Sequence, residues 1–98
     1  MSNKLTWISG STVILSGSSV AVSLPSPTPQ AIAIRAEGGA VYFEINASGG
    51  LISGSATSNA SGYVPADNLD VLPEIYNLHT LHLYGASAVK AHLRYFTY

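Results

Sequence analysis

His79, His82 and His92 are the only side chains of the 98-residue chain that titrate near neutrality, so any acid–base or metal chemistry must begin with them. On a regular strand His79 and His82 lie an odd number of positions apart and face opposite sides. His82 and His92 share a face if the strands around Gly85-Ala86-Ser87 pair as a hairpin, and a three-residue loop from Ala86 to Ala88 sets them directly opposite each other. Two imidazoles fall short of a metal site, and a third ligand would have to be a carboxylate. Glu37, Glu44, Asp67, Asp70 and Glu74 lie mostly at turns or loops. We expect hydrogen-bonded surface histidines, no metal and no cofactor. Fourteen serines make a Ser-His-Asp grouping cheap to assemble on paper, but no Gly-x-Ser-x-Gly elbow occurs. The pairs Gly38-Gly39 and Gly49-Gly50 precede no helix that would hold a phosphate, and turn geometry accounts for them. The expectation is a protein that is not an enzyme.

Composition narrows the alternatives. Charged residues make up 9% of the chain and apolar residues 47%, against about 25% charged in an ordinary soluble domain. Four Lys or Arg without a basic run leave little electrostatic attraction for phosphate backbones, so direct nucleic-acid binding is not expected. With no cysteine, disulfide scaffolds and thiolate sites drop out. No apolar run is long enough to span a membrane, and the N-terminal residues lack the pattern of a signal peptide. The sequons at Asn46 and Asn59 are read as chance in a Ser-rich chain. At 10.2 kDa the chain reads as one domain, residues 1–98, around one core.

The elements follow from period. Alternation dominates and no long stretch has helical spacing, which predicts an all-β, single β-sandwich or jelly-roll-like domain of about eight mostly antiparallel strands. Ile8-Ser9-Gly10-Ser11-Thr12-Val13 is echoed by Leu15-Ser16-Gly17-Ser18-Ser19-Val20, read as a meander of strands near 4–9, 12–16 and 19–24 with Ser-Gly-Ser turns. Pro25, Pro27 and Pro29 predict a stiff crossover over 25–29. Around Gly38-Gly39 a hairpin is expected to pair Ile34 with Phe43 and Ile32 with Ile45, leaving Arg35 and Glu44 as a diagonal exposed pair. Residues 47–68, rich in Ser, Gly and Asn, read as a long loop or arm with a short strand at 51–54, returning at Tyr63-Val64-Pro65. An edge strand is expected at 71–75, then a hairpin of Leu78–Tyr84 with Ala88–Thr97. In its second strand Val89, Ala91, Leu93 and Tyr95 face one way, and Lys90, His92, Arg94 and Phe96 the other.

Ala33-Ile34-Arg35-Ala36-Glu37-Gly38-Gly39-Ala40-Val41-Tyr42-Phe43-Glu44-Ile45 and Gly62-Tyr63-Val64-Pro65-Ala66, followed by Leu78–Leu83 and the final hairpin, resemble small virion proteins of tailed bacteriophages over about residues 30–97. The resemblance implies a capsid decoration or cement protein that binds the major capsid protein and copies of itself, expected as a homotrimer, on the virion surface after synthesis in the host cytoplasm. It brings no catalytic residues. Tyrosine and arginine favour interfaces, so the candidate interface comprises Trp7, Arg35, Tyr42, Tyr63, Tyr84, His82, His92, Arg94, Phe96 and Tyr98. A carbohydrate-binding sandwich on a virion surface, another head–tail or tail component, and a small metal-dependent jelly-roll enzyme are the alternative readings.

Overall fold

The last strand shows the alternation most cleanly: Ala91, Leu93 and Tyr95 are buried, while His92 and Arg94 point outward between them. A pleated chain with one apolar face must cover that face with a second layer. The computed structural model describes residues 4–47 and 50–98, and that layer is a second sheet. The strands are β1 (Thr6–Ile14), β2 (Val20–Ala21), β3 (Ala31–Glu37), β4 (Val41–Ile45), β5 (Gly62–Val64), β6 (Leu69–Leu72), β7 (Leu81–Tyr84) and β8 (Lys90–Thr97), with one 3-10 turn at Thr57–Asn59. One sheet, here sheet A, has the order β1-β8-β3-β6, and sheet B has the order β2-β7-β4-β5. Every pairing is antiparallel. The all-β sandwich of eight strands expected from the sequence is what the structure shows.

The pairing has one simple logic. Trp7 lies opposite Phe96, Ile14 opposite Lys90, Val20 opposite Leu83, Ile32 opposite Leu72 and Phe43 opposite Gly62. Each step forward along the first half of the chain is matched by a step back along the second, in nearly constant register. The whole chain is thus one long antiparallel ribbon, with its tip at β4 and β5, rolled so that successive stretches fall in alternate sheets. That is jelly-roll connectivity.

Rolling the ribbon overturns three local readings. β3 lies in sheet A and β4 in sheet B, so Gly38-Gly39 carries the chain between sheets, Ile34 pairs with Asp70 and Leu93 rather than Phe43, and Arg35 never meets Glu44. β7 and β8 are likewise in different sheets, and the turn at Gly85 is a corner, not a hairpin loop. Gly85 is packed so tightly there that a Cβ would lie 2.6 Å from Leu15 Cδ1 and 3.2 Å from the Ala40 carbonyl. In the N-terminal third, Ser9-Gly10-Ser11 lies inside the nine-residue β1, whereas Ser16-Gly17-Ser18 does turn, with Gly17 at φ 84°. The three-stranded meander is therefore one long strand and one short one. Residues 25–29 run from β2 in sheet B to β3 in sheet A.

Between the sheets lie Ile32, Ile34, Val41, Phe43, Val64, Leu81, Leu83, Leu93 and Tyr95 with their neighbours. Burying side chains of this size contributes about 1.5–3 kcal/mol each. Residues 50–61 do not form the expected strand at 51–54; they fold back on their own domain. Asn59 donates from Nδ2 to the Leu51 carbonyl at 3.2 Å, and Ile52 is fully buried outside the inter-sheet cluster. Gly49, half of a pair read as a turn, lies outside the described residues, as do residues 1–3 and Ser48. Among the described residues no helix is long and apolar enough to cross a membrane.

Candidate functional site

The outer face of sheet A is built row by row from strand register. One row runs Trp7–Phe96–Ala31, the next Gly10–Arg94–Ala33–Val71, the next Thr12–His92–Arg35–Leu69, and the last Ile14–Lys90–Glu37. Directly opposed residues in a ladder put their side chains on one face, so each row is a line of neighbours. Three of the chain's four Lys and Arg residues stand here, at 35, 90 and 94. Large apolar side chains share the face uncovered: Trp7 is 55% exposed and Leu69 62%.

Gly10 and Ala33, small on either side of Arg94, leave a hollow on each flank. One, of about 470 Å³, is lined by Ala33, Arg35, Leu69, His92, Arg94 and Phe96. The other, of about 430 Å³, runs from Trp7 past Gly10 and Thr12 to the opposite side of Arg94. Trp7 meets Phe96 edge-on at 5.9 Å and leans over Gly10, where a Cβ would lie 3.1 Å from the indole. Gly10 is needed for that close approach.

His92 is fixed from both sides. Its Nδ1 lies 3.0 Å from the Thr12 hydroxyl and its Nε2 2.7 Å from Glu37 Oε1. The neutral tautomer protonated at Nε2 satisfies both contacts, accepting from Thr12 and donating to the carboxylate. The hydrogen bond from His92, and then the charge of Lys90, hold the Glu37 carboxyl below its ordinary value. The arrangement clamps an imidazole upright between two arginines. Its chemistry is that of a rigid cationic and apolar platform, suited to carboxylates through the guanidinium forks of Arg35 and Arg94.

The opposite face belongs to sheet B. Tyr63, Tyr42 and Tyr84 form a row, with ring centroids 5.4 Å and 6.3 Å apart. Beside them Glu44 opposes His82, yet Glu44 is only 5% exposed. Residues 50–61 reach this face at Tyr84, whose hydroxyl sits 2.8 Å from where a Gly54 Cβ would be. Ser19 Oγ, Glu44 Oε1 and His82 Nδ1 are buried without hydrogen-bond partners.

The candidate interface therefore splits. Trp7, Arg35, His92, Arg94 and Phe96 gather on sheet A, and Tyr42, Tyr63, Tyr84 and His82 on sheet B. Tyr98 belongs to neither, because its hydroxyl donates to the Pro73 carbonyl and its N–H donates to Gln30 Oε1 at 3.0 Å. The expected opposition of His82 and His92 is overturned, since the two stand on opposite sides of the sandwich. Thr12, Glu37, Leu69 and Val71 join the sheet-A face unforeseen, because only the β1–β8–β3–β6 order brings them there. Among the described residues no three His, Asp or Glu side chains gather as a metal site.

No family model matches the chain, and no curated protein does. Among solved structures the chain is similar to one described as "Bacillus endospore appendages form a novel family of disulfide-linked pili", with a TM-score of 0.45 and 10% identity over 98% of this chain and 93% of that one.

Proposed function

We infer that the protein is a non-enzymatic structural component of a phage virion that docks on the capsid shell and stabilises it through the outer face of sheet A. The observation that supports this reading is the uncovered face itself, where Arg35, Lys90 and Arg94 surround exposed Trp7, Leu69 and Val71. Such a face fits an acidic protein surface with apolar knobs, and the desolvated aromatic and arginine contacts would carry most of the affinity. The virion assignment itself rests on the resemblance carried by residues 30–97.

Co-sedimentation with purified capsid shells tests it. The chain should pellet with shells, the Arg35→Glu/Arg94→Glu variant should not, and Tyr63→Ala, on the other face, should behave as wild type. Equal pelleting of all three, or none of any, overturns the reading. A second reading, carbohydrate binding, is favoured by the Tyr63–Tyr42–Tyr84 row, since stacked phenols present flat apolar area with polar tips. Glycan-array binding lost in Tyr63→Ala would select it.

A further inference from the structure

The four sheet edges are not equally protected. At one end of sheet A, β6 has four residues, and the Asp70 carboxylate accepts the Val71 N–H at 2.9 Å. Ala36 N–H donates to the Asn68 carbonyl, so the alternation of an antiparallel ladder aims the Val71 amide at the free edge. Asp70 therefore caps a donor that another strand would use, and adds charge beside it, a device that discourages edge pairing. In sheet B the edges are β2, two residues long, and β5, three.

β1 is the exception. It is nine residues long and contains no charged residue and no proline. Leu15 N–H donates to the Val89 carbonyl at 2.8 Å, which turns the odd-numbered amides towards β8 and leaves those of Gly10, Thr12 and Ile14 facing outward. Among the described residues no strand pairs with that side. A bulge between Trp7 and Ser9 interrupts the regular edge at its N-terminal end, so the open stretch is Gly10–Ile14.

We propose that β1 pairs antiparallel with β1 of a second copy of this chain, joining two four-stranded A sheets into one continuous eight-stranded sheet across a two-fold axis. Two features select a second copy as the occupant. An uncharged strand meets itself without opposing like charges, which an acidic or basic partner strand would gain nothing from. With Thr12 at the axis, Ile14, 66% exposed in the single chain, comes opposite the partner copy's bare glycine position, where the Trp7 ring offers it an apolar surface. The Asp70 cap on the other edge closes off head-to-tail β1–β6 pairing, so the contact closes on itself and does not propagate as a filament. This inference stands apart from shell docking, but it doubles the docking face and would strengthen attachment through bivalency.

Light scattering across a dilution series, with amide exchange, tests it. The wild type should run at twice 10.2 kDa at high concentration and dissociate on dilution. The amides of Gly10, Thr12 and Ile14 should be protected only in the dimer. Thr12→Pro, which removes an outward N–H that β8 does not use, and Ile14→Lys, which replaces the apolar contact with the partner copy's Trp7 by a cation beside its Gly10–Arg94 row, should both be monomers. Tyr76→Lys, an added charge at a remote exposed site, should remain dimeric. If Thr12→Pro fails to melt cooperatively, Ile14→Lys decides alone. A wild type that is monomeric throughout or trimeric, a dimer that survives Ile14→Lys, or free exchange of the three amides in the dimer overturns the proposal. A monomeric Ile14→Lys chain that still pellets with shells would leave the docking reading standing by itself.

Discussion

His92 Nε2 lies 2.7 Å from Glu37 Oε1 across the β3–β8 ladder, one row from the turn that leaves sheet A. The bond, reinforced by Lys90, stabilises the ionised carboxylate and so depresses the Glu37 pKa from its ordinary 4.5. A depressed carboxylate pKa contributes stability that is present above the unfolded-state value and is lost as pH falls through the folded-state value. Wild type should therefore melt above Glu37→Gln near neutral pH, and the gap should close as the pH drops below about 4.5, the unfolded-state value. Melting curves of both proteins across that range check it, and a gap independent of pH would refute the linkage.

The core should answer to burial and not to residue type. Ile34 is fully buried between the sheets, whereas Ile14 is 66% exposed at the end of β1. Ile34→Ala should cost about 2–5 kcal/mol, through lost transfer energy and the cavity left behind. Ile14→Ala should stay within about 0.5 kcal/mol under dilute, monomeric conditions. Denaturant titrations of both variants at low protein concentration give the comparison, and similar losses would contradict the layering.

The alternation in β8 was legible because a strand buried on one face states its facing residue by residue, and Leu93 and Tyr95 against His92 and Arg94 leave no second choice. Partner choice was not legible. Ile32 and Ile34 followed by Gly38-Gly39 and then Val41 and Phe43 have the same pattern whether the glycines close a hairpin or carry the chain over the core, since both outcomes bury the same side chains. The same ambiguity at Gly85 misplaced His82 against His92 and hid the Thr12–His92–Glu37 contact, which depends on β8 lying between β1 and β3. The Ser-, Gly- and Asn-rich composition of residues 47–68 reads as a long loop or arm, and Ile52, assigned there to a short strand, is instead buried without one as residues 50–61 fold back.

The corner at Gly85 should be sensitive to a single methyl group. A Cβ there would fall 2.6 Å from Leu15 Cδ1, with the Ala40 carbonyl behind it, so the side chain of Leu15 must give way. Gly85→Ala should cost about 1–3 kcal/mol by overpacking. Combining it with Leu15→Val should recover part of that loss, with a coupling of about 0.5–3 kcal/mol between the two sites. Additive losses in the double-mutant cycle would show that the Ala40 carbonyl, and not the Leu15 contact, sets the cost.

The segment 50–61 should come loose before the sandwich does. It is held by Ile52, by the Asn59 bond to the Leu51 carbonyl and by the Ser61 N–H bond to the Phe43 carbonyl at 2.8 Å, while none of the strand pairings involves Ile52. Local opening is cheapest where few apolar contacts must break, so removing one dominant anchor should lower the opening free energy of this segment selectively. Ile52→Ala should speed amide exchange and protease cleavage within residues 50–61, while the Leu93 and Ile34 amides keep their protection. Uniform loss of protection across β3 and β8 would mean that the segment and the sandwich unfold as one unit, and that residues 50–61 are part of the core's cooperative structure and not a separately opening segment.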